Sequence, residues 1–429
     1  MQDTPDVGDV VEQTERDLER ISNADVVLGV PSYNNSETIA SVIGAARAGF
    51  ERYFPGSRAA IVHADGGSKD GTVERALEAA ARDTLLQVPF RIYPVDRLSD
   101  DLTAMPGKAS ALQTIFQMTR RLGAGACVVV SAAAPGVTPE WFDQLARPVL
   151  EQKFDFVAPY YRRHKFDGTI GKGILYPATR ALYGKRIRQL GAREFGVSGD
   201  FAAWCLDKQG WNSDLSSITA DFWLDVQALS GGFRVCQAYL GTRVQATEGP
   251  APDLSVILSH LLGCLFSDMI QNAAVWQKVR GSEPVPIFGP GFESATEAQS
   301  VNVKRMIESY RLGHRDLQGI WGMVMPPATL LELKKLAMRP EDSFRMEDEV
   351  WARTVYDFSL AFRLRTIGRD HLLRALTPLY LGWAASFLQQ IEDAGSLAVE
   401  KRMETLCLAF EAQKPYLISR WRWPDRFNP

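Results

Sequence analysis

The chain has 429 residues, 46% of them hydrophobic, and its 48 Lys and Arg against 51 Asp and Glu leave a net charge of -3. That length supplies a substantial core spread over two or three structural units, and the near balance of charge offers no field to hold a polyanion, which excludes nucleic acid as an expected partner. The five cysteines (Cys127, Cys205, Cys236, Cys264, Cys407) are far apart with no CxxC pair, a usage that fits neither a disulfide framework nor a zinc knuckle and suits a reducing cytosol.

Residues 1–23 read as a polar helical lead-in with no evident core face. The first 25 residues are acidic and polar, unlike a signal peptide, and no uninterrupted apolar run approaches the roughly 18 to 20 residues that span a bilayer. A cytoplasmic protein without a transmembrane segment is expected. Ala24 to Pro31 is a short apolar, β-branched run closed by proline, as a buried strand of a parallel sheet is. Ile39, Val42, Ile43, Ala46, Phe50 and Tyr53 then recur at helical spacing, with Asn35 or Ser36 placed to cap the helix.

The alternation repeats with Ala59 to Ala64 as strand and Thr72 to Ala81 as helix. Phe90 to Val95 gives a third strand, Lys108 to Arg121 a third helix and Ala126 to Val130 a fourth strand. Such units predict an α/β fold with a mainly parallel sheet flanked by helices. Ligands of these sheets bind beyond the carboxyl ends of the strands, here at Pro31 to Asn35, Asp65 to Ser68 and Ser131 to Ala134. Phe154 to Pro159 and Phe233 to Leu240 are further strand candidates around a polar, glycine-containing stretch. Beyond Pro252 the texture is helical: Leu254, Ile257, Leu258, Leu261, Leu265, Met269 and Ile270 share a face. Ala328 to Met338, Glu347 to Leu364 and Leu372 to Ile391 also read as helices, and Glu283 to Gly291 forms a Pro/Gly-rich connector.

Asp65-Gly66-Gly67-Ser68-Lys69-Asp70-Gly71-Thr72 is the strongest local signal. Two glycines allow a tight turn close to a ligand, and Asp65 offers acceptor oxygens to a base or ribose. Asp70 and Ser68 suit helix capping, and Asp65 itself has turn chemistry as its alternative.

This segment, with Pro31-Ser32-Tyr33-Asn34-Asn35-Ser36-Glu37-Thr38-Ile39, resembles the entry of GT-A glycosyltransferases of the family 2 type. Later segments resemble the mannosylglycerate and glucosylglycerate synthase group: Gly107 to Leu112, Thr138 to Trp141, Gly196 to Phe201, Ala220 to Asp225 and Glu347 to Ala352. The likeness runs over most of residues 24–395. It implies a GT-A domain over 24–250 and an all-helical C-terminal domain over 251–429, behind the 1–23 lead-in. It also implies a nucleotide-diphosphate sugar as donor, held by Pro31, Tyr33, Asn35, Asp65, Gly66, Lys108 and Ser131, with the first loop and Asp65 at the base. Lys108, opening a helix after Pro106-Gly107, suits a diphosphate; a solvated surface lysine is the alternative.

The departures from that family are as informative. GT-A enzymes usually carry Asp-x-Asp after the fourth strand, but this chain has Val130-Ser131-Ala132-Ala133-Ala134-Pro135-Gly136, and Thr242 to Glu248 contains no metal-ligating histidine. Hard cations need oxygen ligands that methyl groups do not supply. No metal site and no cofactor are therefore expected, and Lys108, Arg162, Arg163 or Lys165 would neutralise donor phosphate; the Arg162 to Lys165 cluster has a solvated loop as its alternative. Asp200 would contact sugar hydroxyls. Asp221 and Asp225 share a helix face, with Asp225 as general base in an inverting transfer or as a positioning group in a retaining one, and Asp221 in the acceptor or phosphate loop beside it, a helix N-terminal acid being the alternative for Asp221.

The expected activity is transfer of a hexose to a small polar, glycerate-like acceptor. A catalytically silent sugar-nucleotide sensor or assembly partner is the alternative. A membrane-associated transferase is a third reading, and would need Trp421 to Phe427 as a docking element rather than a tail packed on its own domain. Oligomeric state is open, a homo-oligomer included. His63, His260, His314 and His371 read as structural, and the tryptophans as core.

Overall fold

The computed structural model describes residues 7–80, 85–89, 107–134, 136–208, 211, 219–242, 253–290 and 301–424, with backbone alone for 7–13 and 85–89. The chain divides into two compact units. One comprises Met1–Tyr161, Gln189–Ala251 and Val285–Glu293, the other Arg162–Arg188, Pro252–Pro284 and Ser294–Pro429.

The first unit is an α/β structure. Its strands are β1 (Val26–Ser32), β2 (Ala59–Asp65), β3 (Leu85–Pro89), β4 (Ala126–Val129), β5 (Phe156–Arg162), β6 (Phe195–Ser198), β7 (Val235–Thr242) and β8 (Ile287–Phe288). They form one sheet in the order β3-β2-β1-β4-β6-β5-β7-β8. β1 pairs in parallel with β2 and β4, and β2 with β3, while β6 runs antiparallel to both β4 and β5. Helix α1 (Val7–Ile21) precedes β1, and α2 (Ile39–Tyr53), α3 (Thr72–Ala79), α4 (Lys108–Arg121) and α5 (Pro139–Leu150) connect β1 through β5.

β1 is central and all seven of its residues are buried, as its unbroken apolar run requires. Val26, Leu28 and Val30 pack in one core with Ile39, Val42, Ile43 and Ala46 of α2 and Trp141, Phe142 and Leu145 of α5. The helix starts at Ile39 as expected, but its N-cap is Thr38 rather than Asn35 or Ser36. Asn35 instead accepts the backbone N–H of Tyr33 through its side chain. The lead-in does have a core face: Thr14 and Leu18, four apart on α1, are buried.

The third strand forms at 85–89, and the expected Phe90 to Val95 segment lies outside the described residues, as does 243–248. The sequence signals missed β6, because four residues with a glycine carry too little periodicity. They also missed β8, which lies inside the Pro/Gly-rich connector and pairs with β7 through Gln237 and Ala238.

The second unit is helical. Trp351 and Trp383 are fully buried and stack with ring centroids 5.7 Å apart. Arg180 has no exposed surface and bonds Glu404 at 2.6 Å, Glu411 at 2.7 Å and Ser282 at 3.0 Å, so it ties three stretches of chain within this unit. The helix expected over Leu372 to Ile391 is two, Arg369–Ala375 and Thr377–Ile391, divided ahead of Pro378. Trp421 is buried against Trp276 at 5.3 Å, so the start of the aromatic tail packs on its own unit; residues 425–427 lie outside the described ones. Leu254–Gln271 is long and apolar enough, by length and composition, to cross a bilayer. Its Leu258, Leu261, Leu262, Leu265, Phe266 and Met269 are buried.

Candidate functional site

The chain passes from β1 to β2 and β3 on one side of the sheet, then returns to β4 on the other side of β1. This reversal is a topological switch point, where the connections on either side of β1 diverge and leave a crevice beyond the carboxyl ends of the strands. The loops after β1, β2 and β4 meet at that edge.

Side chains of one loop hold the backbone of another. Asn34 N–H donates to Ser68 Oγ at 2.8 Å, and Lys69 N–H donates to Asn34 Oδ1 at 3.0 Å. Asn35 N–H donates to Thr72 Oγ1 at 2.8 Å and Ser36 N–H to Asp70 Oδ2 at 3.0 Å. Thr38 Oγ1 reaches across to the carbonyl of Ala132 at 2.6 Å, tying the β4 loop to the others. Short polar residues do this because their side chains are the length of a backbone hydrogen bond. Nothing in the sequence marked Asn34, Ser68 and Thr38 as ties between loops.

Of the expected donor residues, Pro31 and Gly66 are buried and Tyr33 is exposed at the rim. Gly66 N–H donates to the Ser32 carbonyl at 3.0 Å. Ser131 accepts the N–H of Ala133 at 3.3 Å. Asp65 accepts four hydrogen bonds from its own chain: Gly67 N–H at 2.9 Å and Ser68 N–H at 2.8 Å on Oδ2, Ser32 Oγ at 2.8 Å and Ser68 Oγ at 2.6 Å on Oδ1. The turn chemistry is therefore present at Asp65, whatever else that carboxylate does. Ser32 Oγ also lies 2.7 Å from Nε2 of His63, a fully buried imidazole whose pKa burial pushes down to about 4, against a smaller opposing effect of Asp65. Asp70 accepts from Thr72 N–H at 3.1 Å, a turn bond two residues on; the helix that follows has Gly71 as its N-cap.

α4 runs back from the carboxyl edge towards the start of β4, which sets Lys108, its first residue, on the carboxyl side. Lys108 is buried and its ammonium is ion-paired with Asp221. Burial pushes the Lys108 ammonium down and the Asp221 carboxyl up, each partly offset by the other's charge. Asp221 Oδ1 has no hydrogen-bond partner among the described residues. Asp221 and Asp225 do share the helix Thr219–Ser230, but that helix is buried on nearly all sides. Asp225 is 3% exposed and accepts the N–H of Gly191 at 2.5 Å, and burial raises its pKa well above the usual carboxylate range. It is an interior group in this structure, not an acid facing an open acceptor site.

Asp200 is separated from the switch point by strand direction. Ser198 pairs with Ala126, the first residue of β4, so the antiparallel β6 ends at the amino edge, and exposed Asp200 opens the next helix there behind its Ser198 cap. The nearby glycines serve packing: a Cβ on Gly196 would meet the Leu145 carbonyl oxygen at 2.2 Å, and one on Gly199 that of Ala124 at 2.2 Å. Arg162 and Arg163 belong to the second unit. In that unit Lys165 spends its ammonium on the carbonyls of Glu392 and Ala394.

Ser131 to Ala134 supply one hydroxyl and three methyls and no carboxylate. Among the described residues no group of three His, Cys, Asp or Glu side chains is gathered as a metal site would need.

No protein-family model matches the chain, and no curated protein matches it. Solved structures do. One is the crystal structure of glucosyl-3-phosphoglycerate synthase from Mycobacterium tuberculosis, at 18% identity and a TM-score of 0.42, covering 59% of this chain and 84% of that one. The same enzyme in complex with Mn2+, uridine diphosphate and phosphoglyceric acid matches at 18% and 0.42, covering 59% and 82%. A crystal structure described only as a mycobacterial protein matches at 18% and 0.43, covering 61% and 79%.

Proposed function

We propose that the chain binds a nucleotide-diphosphate sugar at the carboxyl edge of β1, β2 and β4 and transfers its hexose to a small polar, glycerate-like acceptor. The observation that carries this reading is the switch point itself: three loops, knitted by their own side chains, around the crevice where a doubly wound sheet takes nucleotides. The motifs that resemble a GT-A entry fall on two of those loops. In this reading Tyr33, Asn35 and Asp65 form the base-proximal part, and Pro31, Gly66 and Ser131 shape the floor. Lys108 neutralises phosphate in place of a cation, because Ser131 to Ala134 offer no carboxylate.

A second reading, a catalytically silent sugar-nucleotide binder, is favoured by one observation: Asp221 and Asp225 are buried and Asp200 lies at the other edge. No exposed carboxylate of the expected set stands by the switch point as a base.

Thermal-shift titration of the protein with UDP-, GDP- and ADP-glucose and -mannose, with and without Mg or Mn ions, tests the binding claim. A bound nucleotide raises the melting temperature by mass action, and the shift is expected to survive EDTA. A shift that needs the cation defeats the metal-independent reading, and no shift with any sugar nucleotide defeats the binding site. Where binding occurs, transfer to glycerate and 3-phosphoglycerate, followed as nucleotide release, divides the two readings.

A further inference from the structure

We propose that His63 is a positioning residue for this edge, acting through Ser32 to hold Asp65 where it ties down the β2 loop. The ligand-binding consequence rests on the function proposed above; the loop-holding consequence does not.

The direction of the hydrogen bonds follows from the inventory of donors. A carboxylate only accepts, so the Ser32 hydroxyl gives its single proton to Asp65 Oδ1 at 2.8 Å. At the 2.7 Å contact with His63 the serine oxygen is then the acceptor, and Nε2 of the imidazole carries the proton. That tautomer leaves a lone pair on Nδ1, and Nδ1 is the buried ring nitrogen that has no partner among the described residues. A leucine would fill this interior position without leaving an unpaired polar atom there. Packing alone thus gives no reason for an imidazole on β2. Its bond to Ser32 does, because without an Nε2 donor the hydroxyl rotor loses the partner that fixes its direction.

The relay reaches both loops. Asp65 holds the N–H groups of Gly67 and Ser68 and the hydroxyl of Ser68. Ser68 Oγ in turn accepts the Asn34 N–H. From a core imidazole, hydrogen bonds thus run outward to the backbone at the rim.

Amide hydrogen exchange followed by NMR on the full chain tests this without any ligand. His63→Leu is expected to speed exchange at Gly67, Ser68 and Asn34 by about 3- to 10-fold, the loss of one hydrogen bond's worth of order, with β1 amides unchanged. His63→Gln, whose Nε2 can donate in the same direction, is expected to restore the slow rates, and UDP affinity is expected to follow the same order. Wild-type exchange rates in folded His63→Leu, or no rescue by His63→Gln, overturn the proposal. If His63→Leu fails to fold, Ser32→Ala interrupts the relay at its middle with the same amides as readout. 15N spectra of wild-type His63 showing the proton on Nδ1 also overturn it. Failure of wild-type protein to bind any nucleotide sinks the functional reading and leaves the exchange result to decide the relay.

Discussion

Lys108 and Asp221 meet with side chains 5% and 4% exposed, so each is the other's compensation for lost water. Removing one partner of a buried pair strands a charge and costs about 3–5 kcal/mol, whereas an apolar pair of similar volume is often neutral or better. Lys108→Met is therefore expected to lower the urea midpoint strongly, and Lys108→Met/Asp221→Leu to recover most of the loss. If Lys108 also serves the donor phosphates, Asp221 competes for it, and Asp221→Asn is expected to strengthen binding of UDP relative to uridine in calorimetry. Equal effects on both ligands would remove Lys108 from the phosphate site. Asp225 calls for a different experiment. Its folded pKa is raised by burial, so the native state holds a proton that the unfolded state releases, and its charge works against folding above the unfolded value of 3.8. Asp225→Asn can still accept the Gly191 N–H, and is expected to stabilise the protein at pH 7, with the gain fading as pH falls towards the ordinary aspartate range. A wild-type-like melting temperature at pH 7 would place water or an unassigned partner beside Asp225.

At the scale of elements, β1, α2, β2, α3, α4 and β4 were legible to within a residue or two. Each has an apolar period long enough to read and a turn signal at its end. β6 was not, and the consequence was larger than four residues: its antiparallel run carries Asp200 to the far edge from Asp65. Strand direction depends on which neighbour a segment pairs with, and nothing local in Phe195 to Ser198 states that. The helix Thr219–Ser230 failed in another way. Periodicity reports an exposed face, and a helix buried all round has none, so its two acids gave no sign of being interior. Gly196 sits in β6 between β4 and β5 and its Cα faces the Leu145 carbonyl. Gly196→Ala forces backbone to move and is expected to cost about 1–3 kcal/mol, seen as a lower urea midpoint with an unchanged slope. An unperturbed midpoint would mean that α5 can retreat from the sheet freely.

For the molecule as a whole, composition and periodicity conveyed the α/β character of the early chain and the helical character of the late chain. They did not convey that each compact unit is assembled from separate stretches. The reason lies in distance along the chain: Arg180 finds Glu404 and Glu411 across more than two hundred residues, a pairing with no local signature. The same holds for β8, two residues that a Pro/Gly-rich connector hides.

That short strand has a bearing on synthesis. β7 is complete at Thr242, yet its partner Ile287–Phe288 leaves the ribosome some tens of residues later. Until then the growing chain carries the outer rim of β7 around Gln237 and Ala238 without its partner, the configuration in which nascent chains recruit one another. A fragment stopped at residue 250 would be fixed in that state permanently, and it would be the sticky form of this protein.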